Sequence, residues 1–99
     1  MLKKMKQPKS DAAKLCRVVD EILWRMWDPL EINDEENCRD EYQSYAYVLT
    51  GMLGRGADKH EIAQYLAQLQ SEAMGLSGMD KRRTEQTAQE ICTAYGQLR

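Results

Sequence analysis

One histidine, three cysteines and sixteen carboxylates are the side chains of this 99-residue sequence able to carry acid–base, nucleophilic or metal chemistry. Their spacing limits them. His60 stands within Asp58-Lys59-His60-Glu61, which has the spacing of a capping box with Asp in place of Ser or Thr, so it reads as a solvent-facing residue at a helix start. No nucleophile signature surrounds Cys16, Cys38 or Cys92, and no Cys-x-x-Cys pair occurs. A helical metal site needs carboxylates at i and i+3 or i+4 on two facing helices, because only those spacings aim both groups at one ion. Glu36 with Asp40 offers one such pair, but Glu61 is followed by Gln64 and Tyr65, so the second is missing. The Glu-x-x-His of di-iron bundles and the Asp-rich order of a calcium loop are missing too. Gly51, Gly54 and Gly56 follow a helical pattern with no Gly-Lys-Ser or Gly-Lys-Thr, which makes them a turn and not a phosphate loop. The expectation is no enzyme, no metal and no cofactor.

What stands out instead is where the charge lies. Asp28, Glu31, Asp34, Glu35, Glu36, Asp40 and Glu41 set seven acids against the single base Arg39, in a chain whose net charge is only −2. Acids gather at helix starts because the macrodipole favours them there, and they also steer basic partners. On the second reading Asp34, Glu35, Glu36, Asp40 and Glu41 form a partner-binding surface. Two aromatics break the apolar stripes of their helices. At about 100° per residue, Trp24 and Tyr47 both point away from the core side. Uncovered, they would add the residue types that anchor interfaces. Trp27, at the margin of its stripe, reads as structural.

The elements that position these residues are helical. Leu15, Val18, Val19, Ile22, Leu23 and Met26 share one helical face and define helix one over 11–27, with Ser10 as its N-cap and Asp28-Pro29 as its stop. Pro29, Asn33, Asp34 and Asn37 mark 28–37 as an irregular connector pinned by Leu30 and Ile32. Helix two is expected over 35–53 on Tyr42, Tyr45, Ala46, Leu49, Met52 and Leu53. Helix three is expected over 59–74 on Ile62, Tyr65, Leu66, Leu69 and Ala73. Helix four is expected over 79–97 on the weaker stripe Thr84, Ala88, Ile91, Cys92, Tyr95 and Leu98, its polar first half extending into solvent. No segment alternates with period two. The expected fold is all-α, a four-helix bundle-like single domain over 10–99 behind a disordered basic tail over 1–9, where four lysines meet few apolar anchors.

A composition of 42% hydrophobic and 30% charged residues is that of a soluble globular domain. No apolar run approaches the ~20 residues of a membrane span. The basic start is followed by no apolar h-region, and an odd cysteine count fits reduced thiols; both favour a cytoplasmic protein. Helix two, turn and helix three have the outline of a helix-turn-helix, but the candidate reading helix carries one lysine and no arginine, which argues against nucleic acid.

Trp27-Asp28-Pro29-Leu30 with Ile32, Asp40-Glu41-Tyr42 with Tyr45, Gly56-Ala57-Asp58 with Glu61-Ile62 and Tyr65-Leu66, and Met74-Gly75-Leu76 occur here in that order. Together they resemble a family of small all-helical bacterial proteins, largely uncharacterised, some of which look like immunity proteins carried beside toxins. The likeness covers 18–76. It implies a binding role and the helical fold, with no catalytic residues and no site; joined to the charge placement, the expected function is an immunity-type inhibitor that neutralises a basic toxin domain through the acidic surface. The alternative is a small cytoplasmic regulatory or adaptor domain, homodimeric through helix four.

Overall fold

The computed structural model of the chain describes residues 2–76 and 80–98, with side chains from Ala12 onward. Four α-helices form it, with no strand among the described residues: α1 Leu2–Ile22, α2 Gln43–Gly54, α3 Lys59–Gln68 and α4 Lys81–Leu98. α1 runs on through Ser10 and Asp11, where the sequence suggests a start. The side chains of the basic tail expected over 1–9 lie outside the described residues, as does Met79, the expected first residue of helix four.

α1 and α4 form the central pair, α2 flanks α1 and α3 flanks α4. The apolar stripes meet in one core. Val19, Leu23, Ala46, Leu49, Ile62, Leu66, Ala88 and Ile91 are fully enclosed, each larger side chain contributing ~1.5–3 kcal/mol by leaving water. The capping box of α3 forms as expected, with Glu61 N–H donating to Asp58 Oδ1 at 2.9 Å and Asp58 N–H donating to Glu61 Oε1 at 3.0 Å.

Two π turns change the register that a straight helical wheel assumes. Leu23–Trp27 extends α1 and Leu69–Ala73 extends α3, closed by i→i+5 bonds from Asp28 N to Leu23 O and from Met74 N to Leu69 O, both 2.9 Å. A wider turn rotates each residue by less than the ~100° of an α-helix, so side chains beyond it drift around the axis. Gln70 is thereby buried, whereas Ala73, expected on the stripe, is exposed. The buried amide oxygen is satisfied: Trp27 Nε1–H donates to Gln70 Oε1 at 3.2 Å and the Thr84 hydroxyl donates to the same oxygen at 3.1 Å.

The beginning of α4 is not solvated all round as its composition suggests. Thr84 and Thr87 are buried, the Thr87 hydroxyl donating to the carbonyl of Arg83 and the single Thr84 proton shared between the carbonyl of Asp80 and Gln70 Oε1. That bond lets a threonine sit in an apolar interior without an unmet donor. Helix two also starts later than expected, at Gln43. Residues 35–42 form a 3-10 turn, Glu36–Cys38, followed by further turns, because tertiary bonds to Arg39 and Tyr42 outweigh the local helical pattern.

Candidate protein-binding surface

The connector 28–42 carries most of the acidic run, and its geometry begins with Asp28. This residue ends the π turn at φ 29°, a left-handed conformation that Asp tolerates better than most. Its carboxylate then folds over the chain that follows. Oδ1 accepts from Ile32 N–H at 2.9 Å and from the Tyr42 hydroxyl at 2.7 Å, and Oδ2 accepts from Asn33 N–H at 3.1 Å. Asp28 is therefore buried, satisfied and no part of the acidic surface. An Asp before Pro, followed by turn residues, is a sequence signal for such a loop staple.

Tyr42 completes the staple. Its oxygen accepts from Leu30 N–H at 3.3 Å while its proton goes to Asp28, and its ring packs 5.6 Å from Trp27 and 6.1 Å from Trp24. Burial first, then the bond to Asp28, pushes its phenol well above the usual tyrosine range.

Arg39, the lone base of the run, turns inward. It donates from Nη1 to Asp20 Oδ2 at 2.9 Å and from Nη2 to Glu21 Oε1 at 2.8 Å, both on α1, and its guanidinium lies 4.9 Å from the centre of the Trp24 ring. Trp24 is only 7% exposed. It lies beneath Arg39 and beside Tyr42, and Asn33 Nδ2–H donates to its carbonyl at 3.1 Å. The wheel expectation for Trp24 is thus corrected: the π turn and the returning connector enclose it, and it offers no anchor to a partner. Trp27, 1% exposed, is structural as read.

The remaining acids face solvent. Glu31, Asp34, Glu35, Glu36, Asp40 and Glu41 are exposed, and no ion pair joins any of them to a described residue. All five acids picked from the sequence as partner-binding lie on this surface. Arg39, the run's own base, is paired with Asp20 and Glu21, while Arg25 and Arg83 line a hollow beside Glu31 and Asp34, so the surface is predominantly negative with two arginines at its margin.

Tyr47 is 75% exposed, as the wheel places it. It lies on α2 and lines a groove of about 890 Å³ between α1 and α2, shared with Ala13, Cys16, Val48, Gly51 and Arg55.

The side chains with reactive potential are dispersed. His60 is exposed on the first turn of α3, and no cluster of three metal-ligating side chains occurs among the described residues. The Cys92 thiol is pushed up by burial in the core margin, which holds it protonated. No helix among the described residues is long and apolar enough to cross a membrane. Comparison of the chain with protein-family models, with curated proteins and with solved structures finds no match.

Proposed function

We propose that this protein acts in the cytoplasm by binding another protein, presenting the acidic outer face of its connector to a basic surface, and that its role is immunity-type inhibition of a bacterial toxin domain. One observation carries the reading: six exposed carboxylates stand on a segment fixed from below by the Asp28 staple, with the one base of that segment, Arg39, withdrawn to α1. A predominantly negative surface held in place raises the encounter rate with an oppositely charged partner and disfavours like-charged ones, and its effect falls as salt screens it. A basic toxin domain, whose own substrate groove attracts anions, has the matching charge. The resemblance over 18–76 supports the immunity role.

The experiment is retention of a basic partner from the native host by the tagged protein at low and moderate salt, repeated with Glu35→Lys and Glu36→Lys together. A toxin-like domain that washes off as salt rises, and that the doubly reversed protein retains at least tenfold less, supports the proposal. Retention unchanged by the reversal sinks it.

A further inference from the structure

None of the connector's acids lines the groove of about 890 Å³ between α1 and α2, whose volume is within the ~300–1,000 Å³ of small-molecule sites. Ala13 and Cys16 on one side and Val48 on the other give it apolar walls. Each wall also brings an arginine, Arg17 on α1 and Arg55 at the C-cap of α2. Arg55 does not reach away from the groove: its Nη1 lies 3.4 Å from the point where a side chain on Gly51 would begin, so the guanidinium folds back along α2 over the glycine. Neither Arg17 nor Arg55 makes an ion pair among the described residues. The one acid of the lining, Asp20, is buried and already holds Arg39 through Oδ2 at 2.9 Å. Cations thus outnumber acids here, and the acid's charge is met while theirs is not.

We infer that this groove binds a small amphipathic carboxylate, a free medium-chain fatty acid, with its carboxylate against Arg17 and Arg55 and its chain on the apolar walls. Charge, chemistry and length select this ligand. The guanidinium fork matches the two oxygens of a carboxylate, whereas an ammonium would be repelled by both arginines. The apolar walls take a hydrocarbon chain out of water, which a bare anion such as acetate cannot use. On α1 the lining runs from Ala12 to Asp20, about 12 Å at ~1.5 Å per residue. That is shorter than the ~15 Å depth of one membrane leaflet, so the free acid fits and a membrane-lipid chain does not. Gly51 belongs to the same arrangement. Glycine inside a helix is destabilising relative to alanine, but at this position it leaves the space in which the Arg55 guanidinium lies.

Ala13, Val48 and Gly51 are exposed, so the groove is open along its outer side and a bound chain stays partly in water. Affinity is therefore modest, with a dissociation constant on the order of 0.1 mM. Binding requires no toxin and stands apart from the docking proposed for the connector.

Calorimetric titration of the full chain with sodium decanoate tests the inference, beside acetate, which has the head without the chain, and decylammonium, which has the chain with the opposite head. Decanoate is expected to bind once per chain, and acetate and decylammonium at least roughly tenfold more weakly. Arg17→Gln combined with Arg55→Gln should weaken decanoate by roughly tenfold or more. Gly51→Leu, which puts a side chain where the guanidinium lies, should do the same by filling the groove. All three positions are exposed, and the arginine variant, which alters no helix-forming backbone, carries the test by itself if the leucine disturbs α2. Helical circular dichroism is expected to stay unchanged in the variants and at saturating decanoate. Absence of decanoate binding overturns the inference. So does decylammonium binding as tightly, which would mean that apolar surface alone is at work, decanoate binding that survives the loss of both arginines, or a fall in helical signal as decanoate is added, which would mark it as a detergent.

Discussion

The inner and outer faces of the connector 28–42 are built from the same residue types and put them to opposite uses. On the inner face, Asp28 has three hydrogen-bond donors and Arg39 has two carboxylates. On the outer face, six carboxylates of the same chemistry have no ion-pair partner among the described residues. The difference lies in reach, since Asp28 follows a π turn that aims its carboxylate back over the chain, whereas its neighbours point outward from turns. Charge counted along the sequence thus mixes two populations, one that holds the fold and one left over for binding.

The most damaging way to break the inner face is to remove what it covers. Trp24→Ala is expected to lower folding stability by about 3–5 kcal/mol, the range for a buried tryptophan replaced by alanine, read as a fall in the urea midpoint at unchanged slope. A loss below about 1 kcal/mol would return Trp24 to the outer face.

Much of this organisation was legible in the sequence, and the misses share a cause. The all-α class, the stripes of α1 and α2, the capping box of α3, the exposure of Tyr47 and the acids at the surface all follow from period and local chemistry. Trp24 and Ala73 fall elsewhere than a wheel puts them because a wheel assumes constant rotation, and π turns, set by packing at the helix ends, break that assumption. The late start of α2 was missed because long-range bonds from Asp20 and Glu21 to Arg39, and from Tyr42 to Asp28, compete with the helical hydrogen bonds that 35–42 would otherwise make. Asp28 is counted in the acidic run because two of its three partners are backbone amides, which leave no mark in a list of side chains, and the third, the Tyr42 hydroxyl, is fourteen residues away. The acidic surface was visible; that Arg39 turns away from it was not.

A milder break sharpens the division through pH. Tyr42→Phe leaves the Leu30 amide without the phenol oxygen and removes one donor from Asp28, at a cost of about 1–3 kcal/mol. In the intact protein the folded phenol holds its proton at a pH where the unfolded chain has released it. The stability this provides is full below about pH 10, the ordinary tyrosine value, and is lost as pH rises toward the folded value. Alkaline denaturation followed across that window is expected to show stability falling with pH, and Tyr42→Phe to flatten the slope. Tyr65, raised mainly by burial as well, supplies part of what remains. An unchanged slope would mean that the staple does not need the neutral phenol.

The outer face gives the smallest expected effect on folding, and that smallness is its signature. Glu35 and Glu36 are exposed, contribute no side chain to the staple, and sit among four further acids, none of them in an ion pair among the described residues. Reversing both to Lys removes repulsion and adds attraction, so stability is expected to stay within about 0.5 kcal/mol of the starting value, or to rise slightly at low salt. Urea denaturation at two ionic strengths measures it. A loss above about 1 kcal/mol would place both glutamates in the network that holds the connector. Stability held while a basic partner is lost would instead separate the two faces, because only a residue outside the folding network can be reversed in charge without cost to the fold.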